Sequence, residues 1–207
     1  MLINELFKFV VRTSALYSID ESHSLKHSMD VYQYANTIFH QEVIKKPHLI
    51  EQKSIIDSCA ILHDMCDNKY VDETIGLKNI NDFLANKFQQ EEIHTINQII
   101  QTMSYSKVKT QGYPIIPKYQ DAYHIVRQAD LLAAYDIDRA VIYGMMVKGQ
   151  TYEESLSESI QLFDKRVLQH ITDNLFYHES AVEIGKKLHH DAELKIIELR
   201  KNSIDDN

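Results

Sequence analysis

Glycine and proline are scarce in this chain of 207 residues, which contains 5 Gly and 3 Pro. Both residues interrupt helices and form tight turns, so their scarcity favours long helices joined by few turns. Apolar residues recur at spacings of three and four along most of the chain, which is the pattern of an α-helix with one buried face. The sequence therefore predicts an all-α fold, with little room for strands.

The pattern predicts one domain over residues 1–207, because no repeat, linker or change in composition divides the chain. Its core is expected at about 20–190, after a short N-terminal helix, and the polar tail KNSIDDN is expected to fray. A loop at 104–120, which holds two of the three prolines, separates the middle helices, and Thr151 with Glu154 fits a capping box. Helices are predicted at about 2–10, 24–43, 50–65, 74–84, 91–103, 121–143, 151–176 and 180–200.

The formal net charge of −8 and the sequence pI of about 5.7 exclude a general nucleic-acid binder. An anionic substrate would have to be met by a local positive group or by a metal. Cys59 and Cys66 form no CxxC motif, so reduced thiols are expected. The chain has neither the features of a signal peptide nor an apolar run long enough to span a membrane, which predicts a cytoplasmic protein without membrane contact.

Polar residues interrupt the apolar faces of three predicted helices. His27, His63 and Asp130 each lie three or four residues from apolar neighbours on the same face, and Asp64 follows His63 directly. A lone buried carboxylate is costly, so three helices with such a residue suggest one shared site. Two histidine nitrogens and two carboxylate oxygens would suit a divalent metal. The alternative is that each residue forms an ordinary hydrogen bond in the core.

The segments HSMDVYQYA, AILHDMCDNKY and ADLLAAY carry these residues in the order His, His-Asp, Asp. This order resembles the HD-domain superfamily of metal-dependent phosphohydrolases, and the second segment is similar to that of small stand-alone members that read HDxxDxK. The likeness covers about residues 20–190 and implies an HD-domain helical bundle. Many two-metal relatives carry further histidines, which the region 103–105 lacks, so one metal is expected. Leu131, Leu132 and Ala133 stand where close relatives often have charged residues.

The resemblance implies hydrolysis of a phosphate ester or anhydride of a small phosphorylated metabolite by metal-activated water. A nucleotide is the expected substrate from the resemblance alone. His27, His63, Asp64 and Asp130 would hold one ion, with Mn²⁺, Fe²⁺, Co²⁺ or Ni²⁺ favoured over Mg²⁺ because of the histidines. Zn²⁺ is an alternative, although four ligands would close a tetrahedral site.

Further polar residues near these segments are candidates for catalysis and substrate binding. Asp67 would act as general base or orient the water, and Lys69 would hold a phosphate oxygen. Each has a structural alternative, in that Asp67 would cap a helix end and Lys69 would be a solvated surface residue. Four residues are substrate-binding candidates, with solvation or simple ion pairing as the alternative: His23, Lys107, Lys109 and Arg127.

The sequence also allows two other functional classes. One is a di-iron oxygenase of HD-like fold, which would need more ligands than the sequence supplies. The other is a non-catalytic, metal-stabilised binding or signalling module. The long amphipathic helices near the C-terminus also leave room for a homodimer.

Overall fold

The computed structural model describes residues 1–202, except the side chain of Asn202. All regular secondary structure in this range is helical, which confirms the all-α prediction. The α-helices are α1 Leu2–Tyr17, α2 Leu25–Lys45, α3 Leu49–Leu62, α4 Glu73–Leu84, α5 Gln90–Thr102, α6 Tyr105–Gln111, α7 Gln120–Ala133, α8 Ile137–Met146, α9 Tyr152–Lys165 and α10 Glu179–Asn202. A short 3₁₀ turn, Val167–Gln169, follows α9.

Helix α3 lies at the centre of the molecule. Every residue from 55 to 62 is buried, and the helix packs against α1, α2, α5 and α7. Helix α2 also packs along α7, so α2, α3 and α7 share one continuous core. This packing brings the first turn of α2, the end of α3 and the last turn of α7 to the same part of the fold.

The prediction of one long helix at 121–143 is wrong, because the chain forms two helices there, α7 and α8. The Asp136 side chain accepts a hydrogen bond from the backbone N–H of Asp138 and so caps the start of α8. An Asp at such a position starts a helix without any glycine or proline to mark the break. The predicted first helix is too short, since α1 continues to Tyr17.

The capping box at the start of α9 is confirmed, because Thr151 and Glu154 exchange side chain–backbone hydrogen bonds. This helix ends at Lys165 rather than near Phe176, and turns fill most of the remainder.

The predicted loop at 104–120 contains α6. The Ser104 hydroxyl accepts a hydrogen bond from the N–H of Lys107, and Gly112 ends the helix with a positive φ of 76°.

The C-terminal helix extends to Asn202, so the first two residues of the predicted tail are helical, and residues 203–207 lie outside the described part. Leu194 and Ile197 of α10 are exposed, and the predicted homodimer stays a prediction. Within residues 1–202 no helix is both long enough and apolar enough to cross a membrane.

Candidate metal centre

Three of the four predicted ligands form a tight group. His27, His63 and Asp64 each place a ligand atom within 4.8 Å of the others. The two histidine Nε2 atoms are 3.0 Å apart. The Asp64 carboxylate approaches both rings, with Oδ2 at 3.3 Å from His27 Nε2 and Oδ1 at 3.4 Å from His63 Nε2.

Asp130 approaches the same two nitrogens from α7. Its Oδ1 lies 3.4 Å from His27 Nε2 and 3.7 Å from His63 Nε2. Asp130 is not part of the group formed by His27, His63 and Asp64, whose ligand atoms all lie within 4.8 Å of one another. The structure therefore brings all four residues together around the histidine nitrogens, with Asp130 on the α7 side.

The local fold explains this convergence. His27 lies in the first turn of α2 and His63 is the C-cap residue of α3, so His63 and Asp64 follow the helix instead of lying within it as predicted. His63 Nδ1 is 3.0 Å from the carbonyl oxygen of Ala60, to which it donates. Donation from Nδ1 aims Nε2 at the group, as is usual for histidines that bind metals.

The group has buried acids that need a nearby positive charge. Burial would raise the pKa of Asp64, but His63 outweighs burial and holds it well below its usual range. For Asp130 burial is likewise outweighed, here by the hydrogen bond from His27 and the charge of His63, so its pKa is also lowered. Both residues are therefore carboxylates at neutral pH.

The two histidines differ in charge. Burial would lower the pKa of His63, but Asp64 and Asp130 outweigh it and raise the pKa to about 9. Burial, aided by Arg139, lowers the pKa of His27. Without a metal, a proton on His63 therefore supplies the positive charge between the carboxylates.

A buried, unpartnered carboxylate oxygen in this group fits a cation. Asp64 Oδ2 is buried and accepts no hydrogen bond within residues 1–202. Such atoms are rare in folded proteins unless a ligand or ion completes the site. Two imidazole nitrogens with carboxylate oxygens are a donor set for first-row transition metals more than for Mg²⁺.

The group opens into a cavity of about 550 Å³. His63, Asp64 and Asp130 line its floor, and its walls come from the turn after α3 and from α6, α8 and α9. Five basic residues line the walls: Lys69, Lys107, Arg139, Lys148 and Arg166. Acidic residues beside them are Asp67, Glu73, Asp136 and Glu158.

Asp67 and Lys69 face this cavity from the turn after α3. Asp67 Oδ1 accepts a hydrogen bond of 2.9 Å from the backbone N–H of Lys69, which stabilises the turn. Asp67 Oδ2 lies 3.3 Å from Lys69 Nζ. The carboxylate therefore stabilises the turn between α3 and α4 instead of capping a helix end, and it also faces the cavity.

His23 lines the cavity from the segment before α2 and lies outside the helix. Burial lowers its pKa to about 4, so the ring is neutral at pH 7. Its Nε2 is 3.2 Å from Lys69 Nζ, and its Nδ1 is 2.6 Å from Ser22 Oγ and 3.0 Å from the Tyr70 hydroxyl.

The predicted basic residues of α6 and α7 line two different cavities. Lys107 lines the metal-centre cavity and lies 3.2 Å from Glu73. Lys109 and Arg127 line a separate cavity instead. The position of these two residues does not support the predicted contact with a substrate at the metal centre. Arg127 donates from Nη2 to the carbonyl oxygen of Leu175 at 2.5 Å rather than pairing with Asp130.

Sequence reasoning missed three basic residues of the cavity, namely Arg139, Lys148 and Arg166. Arg139 donates from Nε to the carbonyl oxygen of Ser22, and its Nη2 is 3.9 Å from Asp64 Oδ2. Arg139 was missed because one helix was predicted at 121–143, whereas a turn between α7 and α8 brings α8 back to the site. Arg166 has no carboxylate within 4.0 Å in the described range, and its guanidinium lies 4.3 Å from the Tyr105 ring centre.

Both cysteines are unpaired and buried. Cys66 lines the cavity, but burial raises its pKa to about 12, so its thiol stays protonated. A protonated thiol is a weak nucleophile, so Cys66 is suited to packing and not to covalent catalysis.

No protein-family model and no curated protein sequence matches this chain. A crystal structure of a Lactobacillus plantarum protein, a structural-genomics target, is similar with a TM-score of 0.70 and 16% identity. The match covers 98% of this chain and 97% of that chain. At this identity the likeness concerns the fold alone, and it extends over nearly the full length of both proteins.

Proposed function

We propose that this protein is a metal-dependent phosphohydrolase that acts on a small phosphorylated metabolite, with a nucleotide as the expected class. His27, His63, Asp64 and Asp130 would hold one divalent ion. The observation that carries the proposal is the opening of this group into a cavity with five basic side chains. A cation site beside several basic groups is suited to a substrate with phosphoryl charge.

A bound divalent ion would lower the pKa of water and neutralise phosphoryl charge. Arg139 and Lys69 are placed to bind phosphoryl oxygens. Arg139 stands within 3.9 Å of Asp64, and Lys69 projects from the turn that follows the ligands. Asp67 would take the proton from the attacking water, since its carboxylate faces the same cavity.

The size and walls of the cavity support a nucleotide-sized substrate. Its volume of about 550 Å³ falls within the roughly 300–1,000 Å³ that is usual for small-molecule sites. Tyr105 and Tyr143 line the walls, each beside basic groups, and such rings can stack on a nucleobase. Lys148 follows the end of α8 and pairs with Glu158, and Arg166 follows the end of α9. Both line the cavity and could bind additional phosphate charge.

The first experiment measures metal content and hydrolysis together. The protein is purified without chelator, analysed for metal and supplied with Mn²⁺, Co²⁺, Ni²⁺, Fe²⁺ or Mg²⁺ and a panel of nucleoside mono-, di- and triphosphates. Release of phosphate and pyrophosphate is followed. We expect one metal per chain and metal-dependent release, and His63→Ala should lose both.

Asp67→Asn tests the base within the same assay. Asparagine keeps an oxygen that can accept the Lys69 backbone hydrogen bond but cannot take a proton, so metal content should persist while turnover falls by about 10²–10⁴-fold. Asp82→Asn, on the exposed side of α4, is the matched control and should leave turnover unchanged. Full turnover in Asp67→Asn would remove Asp67 from the mechanism.

Oxygen consumption and melting temperature, measured beside metal content and phosphate release, separate the rival functions. Two metals per chain with oxygen consumption and no phosphate release would indicate a di-iron oxygenase. One metal that raises the melting temperature, with no release from any phosphorylated compound in the panel, would indicate a non-catalytic module.

A further inference from the structure

A second cavity, of about 250 Å³, lies between α6, α7 and the segment at 173–175. Met103, Tyr105 and Leu131 line both cavities and form the wall between them. The other lining residues are Val108, Lys109, Gly112, Tyr113, Arg127, Asp173 and Leu175. The lining is mainly apolar, with one buried charged side chain, which is the usual composition of a site for a small organic ligand.

That buried side chain is Arg127, which is only 2% exposed. Nη2 donates to the carbonyl oxygen of Leu175, the guanidinium lies 4.9 Å from the Tyr113 ring centre, and the buried Nε has no partner. In the described part of the chain, Arg127 forms no ion pair, so no carboxylate lies within 4.0 Å of its guanidinium. An arginine keeps its charge even when buried, so Arg127 is a desolvated cation without a counter-ion.

The other charges around this cavity do not neutralise Arg127. The charge of Asp130 acts on Arg127, but the Asp130 carboxylate is directed to the histidines of the candidate metal centre. Asp173 lies on the lining but is exposed, and Lys109, also exposed, adds a second positive charge. Arg127 therefore remains the one buried charge of the lining.

We propose that the second cavity binds a small organic carboxylate. Its carboxylate would pair with the Arg127 guanidinium, and its apolar body would contact Val108, Leu131 and Leu175. A monocarboxylate balances a single buried cation, whereas a phosphate dianion would bring an excess negative charge among apolar walls. The planar guanidinium also matches carboxylate geometry. This inference does not depend on the metal centre or on hydrolysis.

The test is a titration of the metal-free full-length protein with benzoate, phenylacetate and isovalerate, and with benzamide as the uncharged counterpart of benzoate. Calorimetry gives affinity, and methyl NMR signals of Val108 and Leu175 locate the ligand. We expect saturable binding of at least one carboxylate, with shifts of these methyl signals, and weaker binding of benzamide than of benzoate.

Arg127→Met removes the charge while keeping a long apolar side chain. Loss of a charge-assisted hydrogen bond should weaken carboxylate binding by about tenfold or more. Arg12→Met, on the exposed face of α1, makes the same change of charge and should bind as the wild type does. Val108→Phe fills the cavity from α6 while keeping Arg127, and should abolish binding, which gives a second variant if Arg127→Met fails to fold.

Three results would overturn the inference. These are no saturable binding of any of the three carboxylates by the wild type, equal affinity for benzoate and benzamide, and unchanged carboxylate affinity in a folded Arg127→Met or Val108→Phe variant.

Discussion

Binding of a divalent metal should displace one proton from His63, and this displacement can be counted. Burial would lower the pKa of this histidine, but Asp64 and Asp130 raise it to about 9. Burial lowers the pKa of His27, so that ring already carries no charge at neutral pH. A metal ligand must be a neutral imidazole, so His63 has to lose its proton before it can bind the ion.

The size of the effect follows from the pKa. At about pH 7.5, a group of pKa about 9 is about 97% protonated, whereas an unperturbed histidine would be about 9% protonated. Metal binding should therefore release close to one proton per chain. The apparent affinity should rise about tenfold, or about 1.4 kcal/mol, for each pH unit between about pH 6 and pH 8.

Calorimetric titration with Mn²⁺ in buffers of different ionisation enthalpy measures the number of protons released. His63→Gln serves as the control, since it cannot release this proton, and its affinity should be weaker and nearly independent of pH. Release near zero in the wild type would refute the ion pairing of His63 with the two carboxylates. Release of two protons would show that a second group, either His27 or metal-bound water, also loses a proton when the ion binds.

Three further perturbations test other parts of the structure. In Gly76→Ala the added Cβ would lie 2.6 Å from Cys66 Cα. Unfolding by urea should therefore show that the free energy of unfolding falls by roughly 1–3 kcal/mol. Titration with metal should show a weaker affinity, because the turn that follows the candidate ligands must shift. In Arg139→Met, loss of a phosphate-binding cation should raise KM for the phosphorylated substrate by about tenfold or more in steady-state assays, with metal content unchanged; an unchanged KM would exclude the role. Urea unfolding should also show that stability falls as pH falls from about 6.5 towards 4, because the unfolded chain binds more protons there. Four histidines have a pKa that burial lowers to about 4, and each should contribute a loss of up to about 2 kcal/mol at about pH 5: His23, His124, His170 and His178. A flat profile would contradict the neutral, buried state of these four rings.

The sequence located helices with strong periodicity and missed two helices that begin at a single side-chain cap. The second helix and the last helix were located to within about two residues, because their apolar stripes extend over many turns. The break between α7 and α8 was missed, since apolar spacing continues across it and only the cap at Asp136 reveals it. Helix α6 was missed because it is short and buries none of its residues, so it leaves no hydrophobic pattern.

The candidate site was predictable only in part, for a related reason. His27, His63 and Asp130 interrupt apolar faces, and a polar residue on a buried face can be seen in the sequence, as can Asp64 directly after His63. The basic residues of the cavity wall carry no such signal, since arginine and lysine are common on any helix surface. Arg127 shows the opposite error, because its short distance from Asp130 along α7 suggested a shared site.

The sequence by itself determined the helical class of the fold and the three polar residues on apolar faces, because both depend on periodicity along one chain. Only the tertiary structure decided which of the charged residues face the candidate metal centre. The packing of α2, α3 and α7 brings the histidine nitrogens of residues 27 and 63 to 3.0 Å from each other. The same packing places Arg127 at the second cavity, although a spacing of three residues puts it close to Asp130 on the surface of α7. Distances between helices depend on how side chains pack, which no spacing along the chain specifies.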